Sequence, residues 1–307
     1  FAAITLAFAI KAPLFPFHTW LMDTYAQAPA VYTVVSGIIL KLATYAVLRF
    51  SIILFPEQAQ YFGNSIVLLG VIGILYGALI AWRQSNLRLM MAYSSLSHIG
   101  FILVGLFSLN MIGISGALYQ MVNHAVTAGA LFILISYLER TWGTTDINSF
   151  GGLAKVMPWF TFFLVVACMG AVALPGTGSF IGEWLVLIGL FKTYKVFAII
   201  AALGVILGAV YMLWMVYKVV WGPFTFPPHL LHMKDIGKIE FLQLSFLTVM
   251  IFGLGFAFTP LMKHTQITLS QVQFTIESKK PYDTLFTNYT DNGEIRILRA
   301  VENVHTR

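Results

Sequence analysis

The chain has 307 residues, of which 59% are hydrophobic and 10% are charged, and its formal net charge is +6. A soluble domain has about 45–50% apolar and about 25% charged residues, so this composition excludes a soluble globular protein. Apolar runs near the length of a membrane-spanning helix recur throughout, which favours helices over a β-barrel. The single cysteine, Cys168, excludes both a disulfide framework and a cysteine-ligated cluster.

The hydropathy pattern predicts an all-α integral membrane protein with about eight transmembrane helices. In chain order, the predicted spans lie at about 1–17, 32–50, 65–82, 89–107, 112–138, 158–192, 195–221 and 239–260. Two of them are predicted to be broken helices. Pro13 and Pro16 interrupt the first span, and Pro175 interrupts 158–192, because proline removes a backbone donor and clashes with the preceding turn. Broken helices at membrane depth occur only where protein or a water-filled cavity satisfies the freed backbone groups.

The basic residues of the loops predict the orientation, because the side richer in lysine and arginine faces the negative compartment. The richer side carries Arg83, Arg88, Arg140, Lys155, Lys218, Lys234 and Lys238. The other side carries Arg49, Lys192 and Lys195 before the C-terminal tail. The tail is therefore expected on the positive side of the membrane.

Residues 1–261 are predicted to form the transmembrane domain, and residues 262–307 an extramembrane C-terminal extension. Within the extension, QITLSQVQFTIES alternates apolar and polar residues, and GEIRILRAV follows a turn-prone DNG. This pattern predicts a small extension with two strands. The alternative is an irregular arm that lies on a neighbouring subunit.

Three charged residues lie inside apolar runs: Lys11, Lys41 and Glu183. Each costs about 2.5–3.5 kcal/mol to insert at a helix centre, and residues of this kind usually mark a proton or ion path. Desolvation favours a neutral amine and a nearby carboxylate favours a charged one, so a buried lysine can exchange a proton. The structural alternatives are lysines that snorkel to the interface and a neutral glutamic acid bonded to a helix carbonyl.

His98 and His124 also lie in apolar spans, and imidazole titrates nearest neutral pH, which suits a proton relay. The alternative is a pair of core histidines that bridge neighbouring helices. Together with the two lysines and the glutamate, they predict a polar line through the helix bundle. The sequence has neither a phosphate-binding glycine loop nor a serine nucleophile elbow, and no haem or metal spacing, so redox chemistry is expected in other subunits.

Four blocks carry a resemblance to a known family. They are KAPLFPFHTWLMDTYAQAPA, SGIILKLATYAVLRF, SNLRLMMAYSSLSHIGF and GTGSFIGEWLVL. They resemble the antiporter-like membrane subunits of respiratory complex I over about residues 1–260. The chain 2 and chain 5 types of these subunits carry a lysine at the position of Glu183, whereas the chain 4 type carries a glutamate. The resemblance is therefore closest to the chain 4 type.

The resemblance implies a proton relay with five members. Lys11 would be the switching lysine of a first half-channel and Lys41 the connecting lysine, and Glu183 would be the exit-side acid of the second half-channel. His98 and His124 would be the relay histidines between them. The loop after the first span would be a proton inlet. Met22 and Gln27 in this loop depart from the family block, and these departures weaken only the interpretation of the loop as an inlet.

The resemblance also implies partners. Family members have fourteen spans, of which this chain matches the last eight, and the absent part includes the glutamate that pairs with the first lysine. We expect a separate polypeptide to supply the first six spans, while a chain truncated at its N-terminus is the rival explanation. The neighbours would be chain 2-type and chain 5-type subunits and lipids. FMN, iron–sulfur clusters and ubiquinone would lie in other subunits, with no cofactor or metal in this chain.

The implied function is proton translocation coupled to quinone reduction elsewhere in an NADH:ubiquinone reductase complex. Two rival functions share the fold or the charges: a subunit of a cation/proton antiporter or membrane-bound hydrogenase, and a non-pumping structural scaffold. Retention of Lys11, Lys41 and Glu183 argues against the scaffold, because a scaffold would gain stability from leucine at these positions. The expected location is the mitochondrial inner membrane, with a bacterial plasma membrane or a thylakoid as alternatives.

Overall fold

A computed structural model describes residues 1–223 and 235–279, and within these ranges all the main elements are helices. The helices are α1 Ala2–Lys11, α2 Thr19–Gln27, α3 Ala30–Ala46, α4 Pro56–Arg83, α5 Leu87–Leu106, α6 Met111–Trp142, α7 Pro158–Ala171, α8 Gly178–Thr193, α9 Lys195–Val216, α10 Lys238–Phe256 and α11 Phe258–Ser278. Two helices end in π-helical turns, at Val47–Ile52 after α3 and at Tyr217–Trp221 after α9.

Six of these helices, α3, α4, α5, α6, α9 and α10, are long and apolar enough to cross a membrane. Two pairs of shorter helices, α1 with α2 and α7 with α8, add one pass each. The second pair matches the predicted broken span 158–192, whereas the first extends beyond the predicted span 1–17, because Thr19–Gln27, expected to be a loop, is the helix α2. Phe1, at one end of the first pair, stacks on Phe62 near the start of α4. Ala28, at the other end, accepts a hydrogen bond from Arg88 at the start of α5. The pair therefore extends from one end of the bundle to the other.

Both breaks lie where the prolines predict them. The first helix ends at Lys11 and the chain resumes helical structure at Thr19, with Pro13 and Pro16 between them. The second break separates α7 from α8 and contains Pro175. Gly176 adopts a φ of +97° there, a backbone conformation that favours glycine.

The centre of the bundle is formed by α5 and α6. In α5, 89% of the most apolar 18-residue stretch is buried, compared with 28% of the corresponding stretch in α9 and 11% in α10. A helix enclosed on all sides holds its polar side chains away from lipid, so α5 and α6 are the helices that can support a polar line. The more exposed helices present apolar residues outward.

Close glycine contacts bring α6 and α8 together. A Cβ atom on Gly189 would lie 2.4 Å from the Cα and N atoms of Gly113, and one on Gly116 would lie 2.7 Å from the backbone N of Val186. Small residues let helix backbones approach closely inside a membrane, where packing and hydrogen bonds replace the hydrophobic effect as the force between helices. This crossing therefore depends on the absence of side chains at these positions.

Polar contacts fasten the end of the bundle where α5, α7 and α10 begin. Arg88, which is 6% exposed, forms an ion pair with Glu139 of α6 and donates a 2.6 Å hydrogen bond to the carbonyl of Ala28. Asp235 accepts hydrogen bonds from the backbone N–H groups of Trp159 and Phe160, at 2.7 and 3.0 Å. It thus satisfies two of the unpaired donors in the first turn of α7.

The strand predicted within 266–278 is wrong, because these residues belong to α11. Leu269, Val272 and Ile276 of α11 are buried at helical spacing, and Gln60 of α4 donates a 2.7 Å hydrogen bond to the carbonyl of Ile276. Packing of these buried residues against α4 and α6 stabilises a helix here, in place of the strand that the local alternation predicts. The same finding contradicts the irregular arm for this stretch, and the second predicted strand, in GEIRILRAV, lies outside the described residues.

Candidate functional site

Glu183 lies in the second turn of α8, just after the break, and only 4% of its surface is exposed. One carboxylate oxygen, Oε1, carries both of its hydrogen bonds in this structure. The Nε2 group of Gln120 donates to it at 3.0 Å, and Nδ1 of His98 lies at the same distance. A buried carboxylate requires such partners, because an unpaired charge in a low-dielectric interior is strongly unfavourable.

The two predicted relay histidines are in contact. His98 of α5 and His124 of α6 are 7% and 3% exposed, and their ring centroids are 4.9 Å apart. Since His98 also reaches Glu183, the three side chains form one continuous contact across α5, α6 and α8. The Nδ1 atom of His124 is buried and has no hydrogen-bond partner within the described residues.

Lys41 extends the line from the other side of α6. It lies on α3, which packs against α6, and it is 7% exposed. Its Nζ atom has no hydrogen-bond partner among the described residues, and α6, against which α3 packs, is the helix that carries His124. The snorkelling alternative is therefore contradicted for Lys41, because its amine is buried in the bundle.

Two small cavities flank His98. One is lined by His98, His124, Ser94, Ser95 and Thr127 together with apolar residues, and has a volume of about 10 Å³. The other has the same volume and includes His98 and Glu183 in its lining. A water molecule needs about 10–15 Å³ of such space and two to four polar partners. Each cavity can therefore hold about one water molecule.

Lys11 differs from the other four predicted residues. It ends α1 and is exposed on the surface of the described chain, and no described acidic side chain forms an ion pair with it. The structure therefore brings together His124, His98 and Glu183 and buries Lys41 on a helix that packs against α6, whereas Lys11 lies apart from them.

Two buried polar residues escaped the sequence prediction. Gln120 bonds Glu183 directly, and the hydroxyl of Tyr211 on α9 lies 2.7 Å from that of Ser94. Both residues are 1% exposed. Glutamine and tyrosine are common in ordinary helices, so their presence in the sequence gives no signal. They could be recognised as site residues only once it is known which faces of α6 and α9 point into the bundle. Within residues 1–223 and 235–279, no three His, Cys, Asp or Glu side chains lie close enough to hold a metal ion.

The fold and the site define a class: multi-pass helical membrane proteins with broken helices and a buried line of ionisable side chains. Residues 1–210 match the family described as NADH:quinone oxidoreductase/Mrp antiporter, transmembrane, and the chain belongs to that family. The resemblance found in the sequence is thus confirmed.

Relatives and solved structures agree with the family. The chain is 42% identical over 254 residues to NADH-quinone oxidoreductase subunit M of Rickettsia prowazekii, an alignment covering 82% of this chain and 52% of that protein. It is 41% identical over 241 residues to NADH-ubiquinone oxidoreductase chain 4 of Marchantia polymorpha, covering 78% and 48%. A chain of respiratory complex I from Thermus thermophilus has a TM-score of 0.77 and 28% identity, covering 91% and 57%. The chain thus spans about half the length of the curated relatives it matches.

Proposed function

We propose that the chain is a proton-translocating membrane-arm subunit of an NADH:quinone oxidoreductase complex. The observation that carries the proposal is the continuous contact from Glu183 through His98 to His124, with Lys41 buried on the helix α3 that packs against α6. All four groups are buried and come from four different helices. Burying so many ionisable groups is costly, and their contact gives a proton a path between helices that carbon side chains would not give.

The chemistry assigned to this chain is proton transfer alone. A proton would pass from Lys41 to His124, on to His98 and then to Glu183, and each of the two cavities beside His98 has room for a water molecule along the last part of this line. Imidazole suits this position, because it both accepts and releases a proton near neutral pH. FMN, iron–sulfur clusters and ubiquinone would act in other subunits, and charge movement from the quinone end would reach this chain by way of Lys11.

The test is proton pumping by the intact complex in sealed vesicles, with quinone reductase activity followed in parallel. Glu183→Gln and Lys41→Ala should lower the number of protons moved per quinone reduced while the complex still assembles. Glu240→Gln and Lys192→Ala are the matched controls, because Glu240 bonds Arg140 near one surface and Lys192 is exposed at the end of α8. An unchanged stoichiometry in both axis variants would mean that the charges are structural, as in a scaffold.

The second candidate is a cation/proton antiporter subunit, because the matched family includes Mrp antiporters. The same vesicles distinguish the two functions. A proton pump should retain its stoichiometry when sodium is replaced by choline, whereas an antiporter should lose proton movement in the absence of sodium.

The face around Lys11 supports a proposal about partners. Ile10 on α1 and Ile38 and Leu42 on α3 are 46%, 57% and 65% exposed beside this lysine-bearing helix. We propose that this face packs against other membrane helices of the complex, and that chain 2-type and chain 5-type subunits are among the partners. Mass spectrometry of the cross-linked complex should then find cross-links between Lys11 and other membrane-arm subunits. Their absence would contradict packing at this face.

We propose the mitochondrial inner membrane as the location, supported by 41% identity to a chain 4 protein of Marchantia polymorpha. The bacterial relative at 42% identity makes a bacterial plasma membrane the alternative. Immunoblotting of purified mitochondria, plastids and the remaining membranes separates these locations.

A further inference from the structure

Gln120 is bonded at one end of its amide and unbonded at the other. It lies on α6 and is 1% exposed. Its Nε2 group donates to Oε1 of Glu183, whereas its own Oε1 atom is buried without a hydrogen-bond partner among the described residues. Buried polar atoms are nearly always paired, so an unpaired amide oxygen beside an ionisable group points to a second arrangement in which it is used.

The backbone of α8 leaves room for this amide. Gly182 precedes Glu183, and a Cβ atom on it would lie 2.5 Å from Oε1 and 3.1 Å from Cβ of Gln120. Any larger residue at position 182 would displace the amide. The contact keeps the side chain of Gln120 beside Glu183. The main remaining motion is rotation about its terminal torsion, χ3, whose preference is broad and roughly two-fold.

The two ends of an amide suit the two protonation states of a carboxyl group. An ionised carboxylate only accepts hydrogen bonds, and Nε2 supplies a donor in the observed arrangement. A protonated carboxyl group has an O–H donor that requires an acceptor. A half-turn of the Gln120 amide would exchange Nε2 for the unpaired Oε1 and supply that acceptor without moving either helix.

We propose that Gln120 is a positioning residue that holds Glu183 in both of its protonation states by turning its amide. The inference rests on the proposed function, because only a Glu183 that gains and loses a proton in each cycle needs both arrangements. Gln120 itself takes up no proton. It keeps the carboxyl group in one place, facing His98, whichever state it is in.

The other titratable groups near Glu183 come from three helices. They are His98 on α5, His124 on α6 behind His98, and Tyr211 on α9, which lines one cavity with Glu183. The helix α10 also packs on α8, but its only ionisable residues, Lys238 and Glu240, lie in its first turn. Of these groups only His98 bonds Glu183 in the described residues, so Gln120 is the one described partner of Glu183 that does not itself titrate.

The test is infrared difference spectroscopy of the purified complex during a pH titration. The carbonyl band of protonated Glu183 is assigned by its absence in Glu183→Gln. In Gln120→Met, which keeps the length of the side chain but neither hydrogen-bonding end, the band should move to the higher frequency of a less strongly bonded acid.

Two further variants make the test decisive. Gln60→Met is the matched control, because Gln60 also donates through Nε2, but to a backbone carbonyl of α11. It should leave the Glu183 band unchanged. Gly182→Ala pushes the amide oxygen of Gln120 away and should move the band in the same direction as Gln120→Met, which covers the case in which that variant does not assemble.

The outcomes separate this inference from the proposed function. A Glu183 band that keeps its frequency in both Gln120→Met and Gly182→Ala overturns the role of Gln120, even if Glu183→Gln abolishes pumping. A band that moves as expected, together with normal pumping by Glu183→Gln, supports the role of Gln120 and overturns proton translocation through Glu183.

Discussion

Replacing Gly189 with alanine tests whether the close approach of α6 and α8 holds the site together. A Cβ atom at position 189 would lie 2.4 Å from both the Cα and the N atom of Gly113. Carbon atoms in ordinary contact lie about 3.5–4.0 Å apart, so the two backbones must separate by about 1 Å. Neither contacted atom belongs to a flexible side chain, so a rotamer change cannot relieve the clash.

The magnitude follows from this overpacking, which typically costs about 1–3 kcal/mol in a well-packed core. A separation of about 1 Å along the crossing would also stretch the hydrogen bond between Gln120 and Glu183 beyond the normal range of about 2.7–3.2 Å. We therefore expect Gly189→Ala to destabilise the bundle and to weaken the site on α8 together.

The buried thiol of Cys168 provides the assay. Cys168 lies on α7, is 0% exposed and is the only cysteine of the chain, so an alkylating reagent reaches it only when the bundle opens. Mass spectrometry of the peptide containing Cys168 measures the alkylation rate within the intact complex. If opening precedes reaction, a loss of about 1–3 kcal/mol accelerates alkylation by about 5–150-fold.

The control is Gly129→Ala on α6, where a new Cβ atom would meet nothing within 4 Å. Alanine is the better helix former by about 1 kcal/mol, so alkylation in this variant should be unchanged or slower. Equal alkylation rates in Gly189→Ala, Gly129→Ala and the unmodified chain would refute the reasoning that backbone contact between α6 and α8 stabilises the fold.

Of three further predictions, the first two use the alkylation of Cys168 and the third uses proteolysis. Arg88→Ala should accelerate alkylation by about 5–150-fold, because it removes a buried guanidinium that pairs with the partly exposed Glu139 and bonds Ala28, a loss of about 1–3 kcal/mol. Arg140→Ala at an exposed pair should cost only about 0–1 kcal/mol. Asp235→Ala should cost about 1 kcal/mol through loss of the cap on α7, and Asp235→Asn should recover part of it. Ile276→Asp should release α11 from the bundle, seen as faster proteolysis of that helix, with little change at Cys168; an unaltered digestion rate would contradict the docking of α11.

The number of membrane passes and the two breaks could be predicted from the sequence, because both depend on local chemistry. A span requires a run of apolar residues, and Pro175 breaks a helix in any environment. The candidate site was partly predictable for the same reason, since Lys41 and Glu183 are conspicuous inside apolar runs. The contacts of these residues were harder to predict, because they depend on how each helix is rotated about its axis within the bundle.

The helical state of α11 was not predictable from its own residues. Leu269, Val272 and Ile276 fit a helical face, but Ile267 with Leu269, and Val272 with Phe274 and Ile276, form two short alternating runs. In the structure, Ile267 and Phe274 are exposed, at 73% and 43%, whereas the other three residues are buried. The surface offered by α4 and α6 selects the helix, and that surface is remote in the sequence.

The π-helical turns after α3 and α9 make these two places tolerant of a change in chain length. A π turn accommodates one residue more than an α turn within each hydrogen-bonded loop. Deleting one residue from Val47–Ile52 would therefore convert the turn to regular α-helix while the helix before it keeps facing the same neighbours. A deletion within α5 would instead rotate half of an enclosed helix by about 100°, the angle per residue that follows from 3.6 residues per turn. Single-residue gaps between homologous chains should accordingly gather at Val47–Ile52 and Tyr217–Trp221, and the helices that carry the buried ionisable groups should keep a constant length.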